Sequence, residues 1–426
     1  MTRNPQSRAP TPGAAAPPSP SPPSPASSPS PSGRSRRDVL RIAGLSVGAV
    51  VVAAAAGTGI RAAVNGAFSA GDGTPYNLWG SWDTLDGLDR IVAAGVLAAN
   101  PHNTQPWTLS VTADTILLSA DPTRRMPACD ASDREHFAGL GCAIENMVVA
   151  ARALGSPVTV DLFPDAGSPE VVARLTIGPA GSIAATVADT QLAASIPRRH
   201  TNRGPYTDSP LSTNDLRMLG AASPDLPGVT VTWVSEDAAR AALGDLYVQA
   251  TEAIVHDEDQ SVEAFSWFRN DRAEIDAHRD GLTLDCQGLD GATLFLSKVL
   301  PAQSRADGDA FWVKSTRDVH TATAAAYGII TVTDVRDRSD QVNGGRMLER
   351  VHLAATAASL GFHHMNQITE RIDRDASLGQ EDVFSARWEA VTGIPASTGL
   401  VAFRLGYPQR PAGLSPRRAL SAVLTA

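Results

Sequence analysis

Two separated stretches of this chain carry one pattern, and that repetition narrows the folds open to it more than any other feature. Residues 135–155 place Leu140, Ile144, Met147, Val148, Ala151 and Leu154 on one face at helical spacing. Residues 346–361 do the same with Met347, Leu348, Val351, Ala354, Ala355 and Ala358. Ile144-Glu145 is followed by Val149-Ala150-Ala151, and Leu348-Glu349 by Leu353-Ala354-Ala355. A glycine, Gly155 or Gly361, then fits the C-terminus of each helix. Amphipathic helices of similar composition also arise by chance, so the surroundings matter. The runs 158–163, 171–177, 229–234, 329–332 and 400–405 are short and rich in β-branched residues, which favours strands. Helices and strands mixed without a strict βαβ rhythm predict an α+β layout, a sheet flanked by helices.

A length of 426 residues allows two to three domains, less a front segment that is different in kind. Residues 1–33 hold 11 of the 30 prolines, interleaved with Ser and Ala, and are predicted to be disordered for lack of apolar surface to bury. A net charge of −9 argues against nucleic acid as a partner, because phosphate binding needs excess positive charge. Cys129, Cys142 and Cys286 form no CxxC pair and no disulfide framework. One bridge in an oxidising compartment stays open beside the preferred reading of free, half-buried thiols.

Ser35-Arg36-Arg37-Asp38-Val39-Leu40-Arg41 precedes residues 42–60, a run without charge. Paired arginines ahead of an apolar core read as a twin-arginine export signal, and Arg61 beyond the core fits it. The competing reading is a transmembrane anchor, since the run is about long enough to span a bilayer. Gly66, Ala67 and Ala70 are the candidates for a cleavage site. The arginine bias keeps the N-terminus cytoplasmic and puts the rest outside, exported or tethered. Gly44-Leu45-Ser46-Val47-Gly48 matches a hydrolase pattern but lies inside the apolar run, without strand-turn-helix context. Residues 34–70 are therefore assigned to the signal or anchor.

A helix-like segment, 88–98, leads into Ala99-Asn100-Pro101-His102-Asn103-Thr104-Gln105-Pro106-Trp107. Arg199-His200-Thr201-Asn202-Arg203 follows later, and in an extended segment Arg199, Thr201 and Arg203 share one side. Pro416-Arg417-Arg418 lies near the C-terminus. The first of these resembles the Asn-x-Gln-Pro-Trp signature of the FMN-dependent nitroreductase family. The second is similar to that family's Arg-x-Ser-x-Arg entry, with Thr in place of Ser. The third resembles the basic tail residues that close on the FMN phosphate, although here the two arginines are adjacent.

The resemblance implies a nitroreductase-like α+β fold in two fused copies, residues 71–195 and 196–426, with a helical insertion at about 236–299. The repeated helices would be the long central helix of each copy. In two-subunit members one subunit supplies the arginine entry and the other the Asn-x-Gln-Pro-Trp loop. Here they fall in opposite halves, which implies an intramolecular pseudo-dimer with one FMN site, as in the fused, Acg-like branch, and a monomer. The implied FMN-binding residues are Asn100, His102, Asn103, Gln105, Arg199, Thr201, Arg203, Arg417 and Arg418. FMN needs arginines for its phosphate, amides or hydroxyls for its ring edge and apolar cover for its faces.

Phe265, Trp267 and Phe268 in the insertion read as core packing, with Trp267 or Phe268 over a flat ring as the sharper alternative. The nine histidines show no HExxH or similar spacing, and His363 and His364 would point about 100° apart on a helix, so no metal is expected. The implied activity is reduction of a nitroaromatic, quinone or similar flat acceptor by reduced FMN. The alternatives are a flavin-binding or flavin-sequestering protein with little turnover, and an exported module without flavin. Export through the translocase of the twin-arginine route would separate the protein from cytoplasmic NAD(P)H, and no GxGxxG fingerprint occurs, so the electron donor and the catalytic residues stay unassigned.

Overall fold

The chain was analysed as a computed structural model describing residues 61–222 and 226–425. The proline-rich segment, the twin-arginine motif and the apolar run 42–60 lie outside the described residues. Among the described residues no helix is long and apolar enough to cross a membrane.

The described helices include α1 (Gly87–Val96), α2 (Arg134–Ala153), α3 (Asp237–His256), α4 (Glu258–Ser266), α5 (Gly291–Val299), α6 (Arg305–Ser315), α7 (Arg338–Ala357) and α8 (Gln367–Leu378). The strands are β1 (Trp107–Val111), β2 (Thr115–Ala120), β3 (Val158–Leu162), β4 (Val171–Ile177), β5 (Thr230–Val234), β6 (Phe268–Arg269), β7 (Leu282–Thr283), β8 (Ala326–Thr331), β9 (Gly361–His364), β10 (Gly399–Gly406) and β11 (Leu424–Thr425). One sheet runs in the order β11-β1-β2-β4-β3 and another β5-β8-β10-β9, while β6 and β7 make a small pair. Every contact in the two larger sheets is antiparallel except β1 with β11, which is parallel. The fold is α+β, sheets flanked by helices, as the sequence pattern predicts.

The long helices α2 and α7 pack against each other without room for side chains at the crossing. A Cβ on Gly141 would stand 2.0 Å from the carbonyl oxygen of Val342, and one on Gly345 would stand 2.0 Å from that of Ala138. The two contacts are reciprocal. Gly141 and Gly345 occupy equivalent positions in the repeat, and so do Ala138 and Val342, so this interface has the self-complementary form of a two-fold axis. Burial supplies the cohesion: Leu140, Ile144, Met147, Val351 and Leu353 are all at 2% exposure or less. Arg134, at the start of α2, reaches the other sheet. Its Nε and Nη2 donate to Asp373 on α8 at 2.6 and 2.7 Å, and its Nη1 donates to the carbonyl of Gly399 at 2.9 Å.

Four sequence expectations need correction. Helix α7 starts at Arg338, well before residue 346, because Asp337 caps it by accepting from the Asp340 amide. Gly155 does sit just past α2 with φ +70°, but the turn after α7 falls on Ser359, at φ 59°. Gly361 instead opens β9, where a Cβ would lie 2.6 Å from the Tyr206 ring. The three aromatics of the insertion do not share a helix either: Phe265 is on α4, Trp267 is its C-cap and Phe268 belongs to β6. His363 and His364 lie on β9, paired with β10 at Arg404 and Phe403, rather than on a helix. The three cysteines are free and buried.

Candidate functional site

The segment after α1 cannot run straight into β1. His102, Asn103 and Gln105 all take left-handed backbone conformations, at φ 45°, 56° and 51°. Such positions cost on the order of 1–3 kcal/mol each unless neighbours impose them. Here they are imposed. The Gln105 amide donates to Asn100 Oδ1 at 2.7 Å, and Asn103 Nδ2 donates to the carbonyls of Gly281 and Pro416 at 3.1 and 3.0 Å. Gln105 Nε2 donates to the Arg279 carbonyl at 2.9 Å, and its Oε1 accepts from the Arg418 amide at 2.8 Å. Gly139 of α2 lets the turn lie close, since a Cβ there would meet Pro101 at 3.0 Å.

A cavity of about 320 Å³ opens beside this turn, within the usual range of small-molecule sites. Asn100 and His102 line it from the turn, Thr201 and Arg203 from the segment after residue 198, so groups about a hundred residues apart in the chain meet there. Apolar cover comes from Phe265, Phe268, Phe311, Trp312 and Leu348. Trp267 does not line it; its ring faces the guanidinium of Arg269, 5.6 Å away.

The other sequence-derived candidates stand behind the wall. Arg199 is buried in an ion pair with Glu349 at 2.9 Å and donates to the Leu97 carbonyl at 2.9 Å. Arg417 lies over the Trp79 ring and donates to Asn103 Oδ1, Ser415 Oγ and the carbonyls of Leu97 and Ala98. Burial lowers its pKa to about 9. Arg418 Nη1 donates to the carbonyls of Gln105 and Trp107 at 3.3 Å each. Asn103 and Gln105 brace the turn as described. These five residues hold the wall in shape and Asn100, His102, Thr201 and Arg203 face the cavity.

Sequence reasoning missed several lining groups. His320, His363 and His364 line the cavity with Glu135, Cys142, Asn366, Gln367 and Glu370. Their spacing in the chain carries no motif; only the fold brings β9 and the start of α8 to the same cavity as α2. All three histidines are held neutral. Burial, then the neighbouring arginines, lowers His364 to about 3 and drives His320 and His363 well below their usual range. His102 falls to about 4, through burial and the charge of Arg203. Arg404 Nε donates to His363 Nδ1 at 3.1 Å, which leaves the imidazole proton on Nε2.

This donor set suits a phosphate-bearing flat ligand such as FMN. Arg203 makes one hydrogen bond, to the Cys286 carbonyl at 3.2 Å, and pairs with no carboxylate among the described residues. Thr201 adds a hydroxyl 3.4 Å from His364 Nδ1. His364 Nε2 and Gln367 Oε1 are buried without a partner, as expected of groups that a ligand would satisfy.

No family model matches the chain. Part of it is similar to proteins of Mycobacterium tuberculosis (strain ATCC 25618 / H37Rv). One, named "Putative NAD(P)H nitroreductase", is 32% identical over 131 residues, 31% of this chain and 37% of the relative. Another, acg, carries the same description and is 31% identical over 127 residues, 30% of this chain and 38% of the relative. The match therefore spans well under half the length of these relatives. Solved structures similar to the chain include an FMN-bound nitroreductase from Bacteroides fragilis, at 14% identity and a TM-score of 0.33, covering 55% of this chain and 97% of the other. An FMN- and NADPH-dependent nitroreductase, NfnB, gives 16% identity and a TM-score of 0.37, covering 55% and 98%. The sequence similarity to these two proteins is thus confined to about a third of the chain.

Proposed function

We propose that the chain binds FMN in this cavity and uses it to reduce a flat nitroaromatic or quinone-type acceptor. The observation that carries the reading is the convergence of the 100–102 turn with Thr201 and Arg203 on one apolar-walled cavity. In this reading Arg203 and Thr201 hold the phosphate, Asn100 and His102 meet the polar ring edge, and the aromatic side chains of the insertion cover the ring. Arg199, Arg417, Arg418, Asn103 and Gln105 act one layer back, by fixing the turn. FMN, when bound, supplies the hydride chemistry; the protein excludes water and sets the orientation of ring and acceptor. The reciprocal packing of α2 and α7 supports reading residues 71–195 and 196–426 as fused copies with a single site. On the motif at residues 35–41 we further propose export by the twin-arginine route, which a fractionation comparing the native chain with R36K/R37K tests.

The decisive experiment is the absorption spectrum of the purified protein with and without added FMN. A flavin spectrum that is retained on gel filtration and lost on denaturation is expected. Arg203→Ala should weaken FMN about 10- to 100-fold, the worth of one charge-assisted bond of ~1.5–3 kcal/mol. Unchanged affinity in that variant, or failure of the wild type to bind, rejects the site. Bleaching by NAD(P)H and reoxidation by a nitroaromatic would distinguish an enzyme from a protein that only stores flavin.

A further inference from the structure

One group of lining residues plays no part in holding a phosphate or a ring. Helix α8 presents Gln367 and Glu370 one turn apart, and α2 presents Glu135 to the same cavity. Glu135 and Glu370 share one cavity wall, where the carboxyl of each bears on the charge of the other, and such a pair is relieved by one proton held between them. Neither makes an ion pair among the described residues. Their counterparts on the long helices differ: Glu145 meets Arg346 and Arg350, and Glu349 meets Arg199.

The charged groups around the pair do not neutralise it. Arg134 is committed to Asp373, and Arg371 to Asp257 and Asp375. Asp130 accepts from the Glu135 and His136 amides and, with the Cys129 thiol, adds acidity on the α2 side. Burial and the neighbouring carboxylates push Glu370 well above the usual carboxylate range, with Glu135 raised as well. Gln367, only 4% exposed, has an amide oxygen with no partner. An acid and an unmet amide thus stand on one wall.

We infer that Glu135 and Glu370 share a single proton and deliver it to the oxygen of a quinone-type acceptor in the cavity, with Gln367 orienting that acceptor. The inference rests on the flavin reading for its electrons. A quinone becomes a hydroquinone by gaining two electrons and two protons. Hydride from reduced flavin brings both electrons and one proton. The second proton comes from the pair: one carboxyl O–H bond breaks, an acceptor O–H bond forms, and the dicarboxylate left behind is reprotonated from water.

Infrared spectroscopy of the flavin-free wild-type protein tests the shared proton directly. A protonated-carboxyl stretch that persists at neutral pH, titrates away only on the alkaline side and is lost in Glu370→Gln is expected. Its absence from the wild type overturns the inference, whatever the variants do. With flavin and a quinone, Glu370→Gln should lower kcat roughly 100-fold and abolish the alkaline limb of the rate profile. FMN affinity, read by fluorescence quenching, should stay within about twofold. An unchanged rate and profile overturns proton delivery. A protein that binds no flavin sinks the flavin reading and the delivery step together, while the band decides the shared proton separately.

Discussion

Arg417 and Arg203 are both arginines near the cavity, and their neighbours give them different work. Arg417 bridges Asn103 to the carbonyls of Leu97 and Ala98, so its loss leaves the buried Asn103 Oδ1 unmet and removes the second donor from both carbonyls. Arg417→Ala should cost about 3 kcal/mol or more of stability, seen as a lower denaturant midpoint at unchanged slope. Arg203→Ala should leave that midpoint nearly in place and act on the ligand. The buried histidines add a pH dependence. His102 and His136 sit at about 4, His200 and His364 at about 3, below their unfolded value, so between about pH 6.5 and 4 the unfolded chain binds protons that the folded chain refuses. Stability should therefore fall on acidification through that window, by up to about 1.4 kcal/mol per pH unit for each histidine. Glu370 and Asp130, held neutral by burial, work in the opposite sense: their contribution is lost as pH rises through their raised pKa. Guanidinium titrations from about pH 4 to 8 should show the acid loss more steeply in Glu370→Gln, where one opposing carboxyl is gone; a midpoint that stays flat in that variant would contradict the buried, neutral histidines.

Among the elements, the α2–α7 crossing is the most sensitive. Gly141→Ala or Gly345→Ala drives a methyl group into backbone on the opposing helix, where no side chain can swing aside. Each should destabilise by about 2–3 kcal/mol or more. Gly80→Ala, with nothing within 4 Å of its Cβ position, is the control and should change stability by no more than about 0.5 kcal/mol. This crossing was legible in the sequence as a repeat, because apolar spacing survives duplication. Strands β1 and β2 escaped notice although Leu109, Ile116 and Leu118 alternate with less buried neighbours, since Trp107 opens β1 within a segment that motif reasoning had claimed for the ligand. Strand β9 escaped for another reason. Four residues, three positions after a helix, give too short a window for periodicity, and only pairing with β10 defines them.

On the scale of the molecule, the described residues belong to one compact unit, and the motifs at 100–107, 199–203 and 417–418 do converge. The sequence order of these motifs was legible, but not which side of the wall each side chain takes. An arginine reads alike in a chain whether it meets a phosphate or a backbone carbonyl; only Trp79, Glu349 and the 97–98 carbonyls decide. The C-terminal stretch joins the parts, for Trp79 Nε1 donates to the Ser415 carbonyl at 2.8 Å and β11 lies beside β1. Removing residues 415–426 should bare the β1 edge, loosen the 100–107 turn and lower both the melting temperature and FMN affinity. A truncated chain that melts and binds like the full one would refute this role.

The pairing of Leu109 with Leu424 also orders events in time. While a ribosome is still making this protein, the first sheet has every strand but its outermost, and the Asn103 side-chain oxygen waits for Arg417. The cavity wall can close only after the 316 residues that separate Leu109 from its hydrogen-bond donor Thr425 have emerged. Chaperones that shield unpaired sheet edges should accordingly find the nascent chain a long-lived client, and the finished one a poor one.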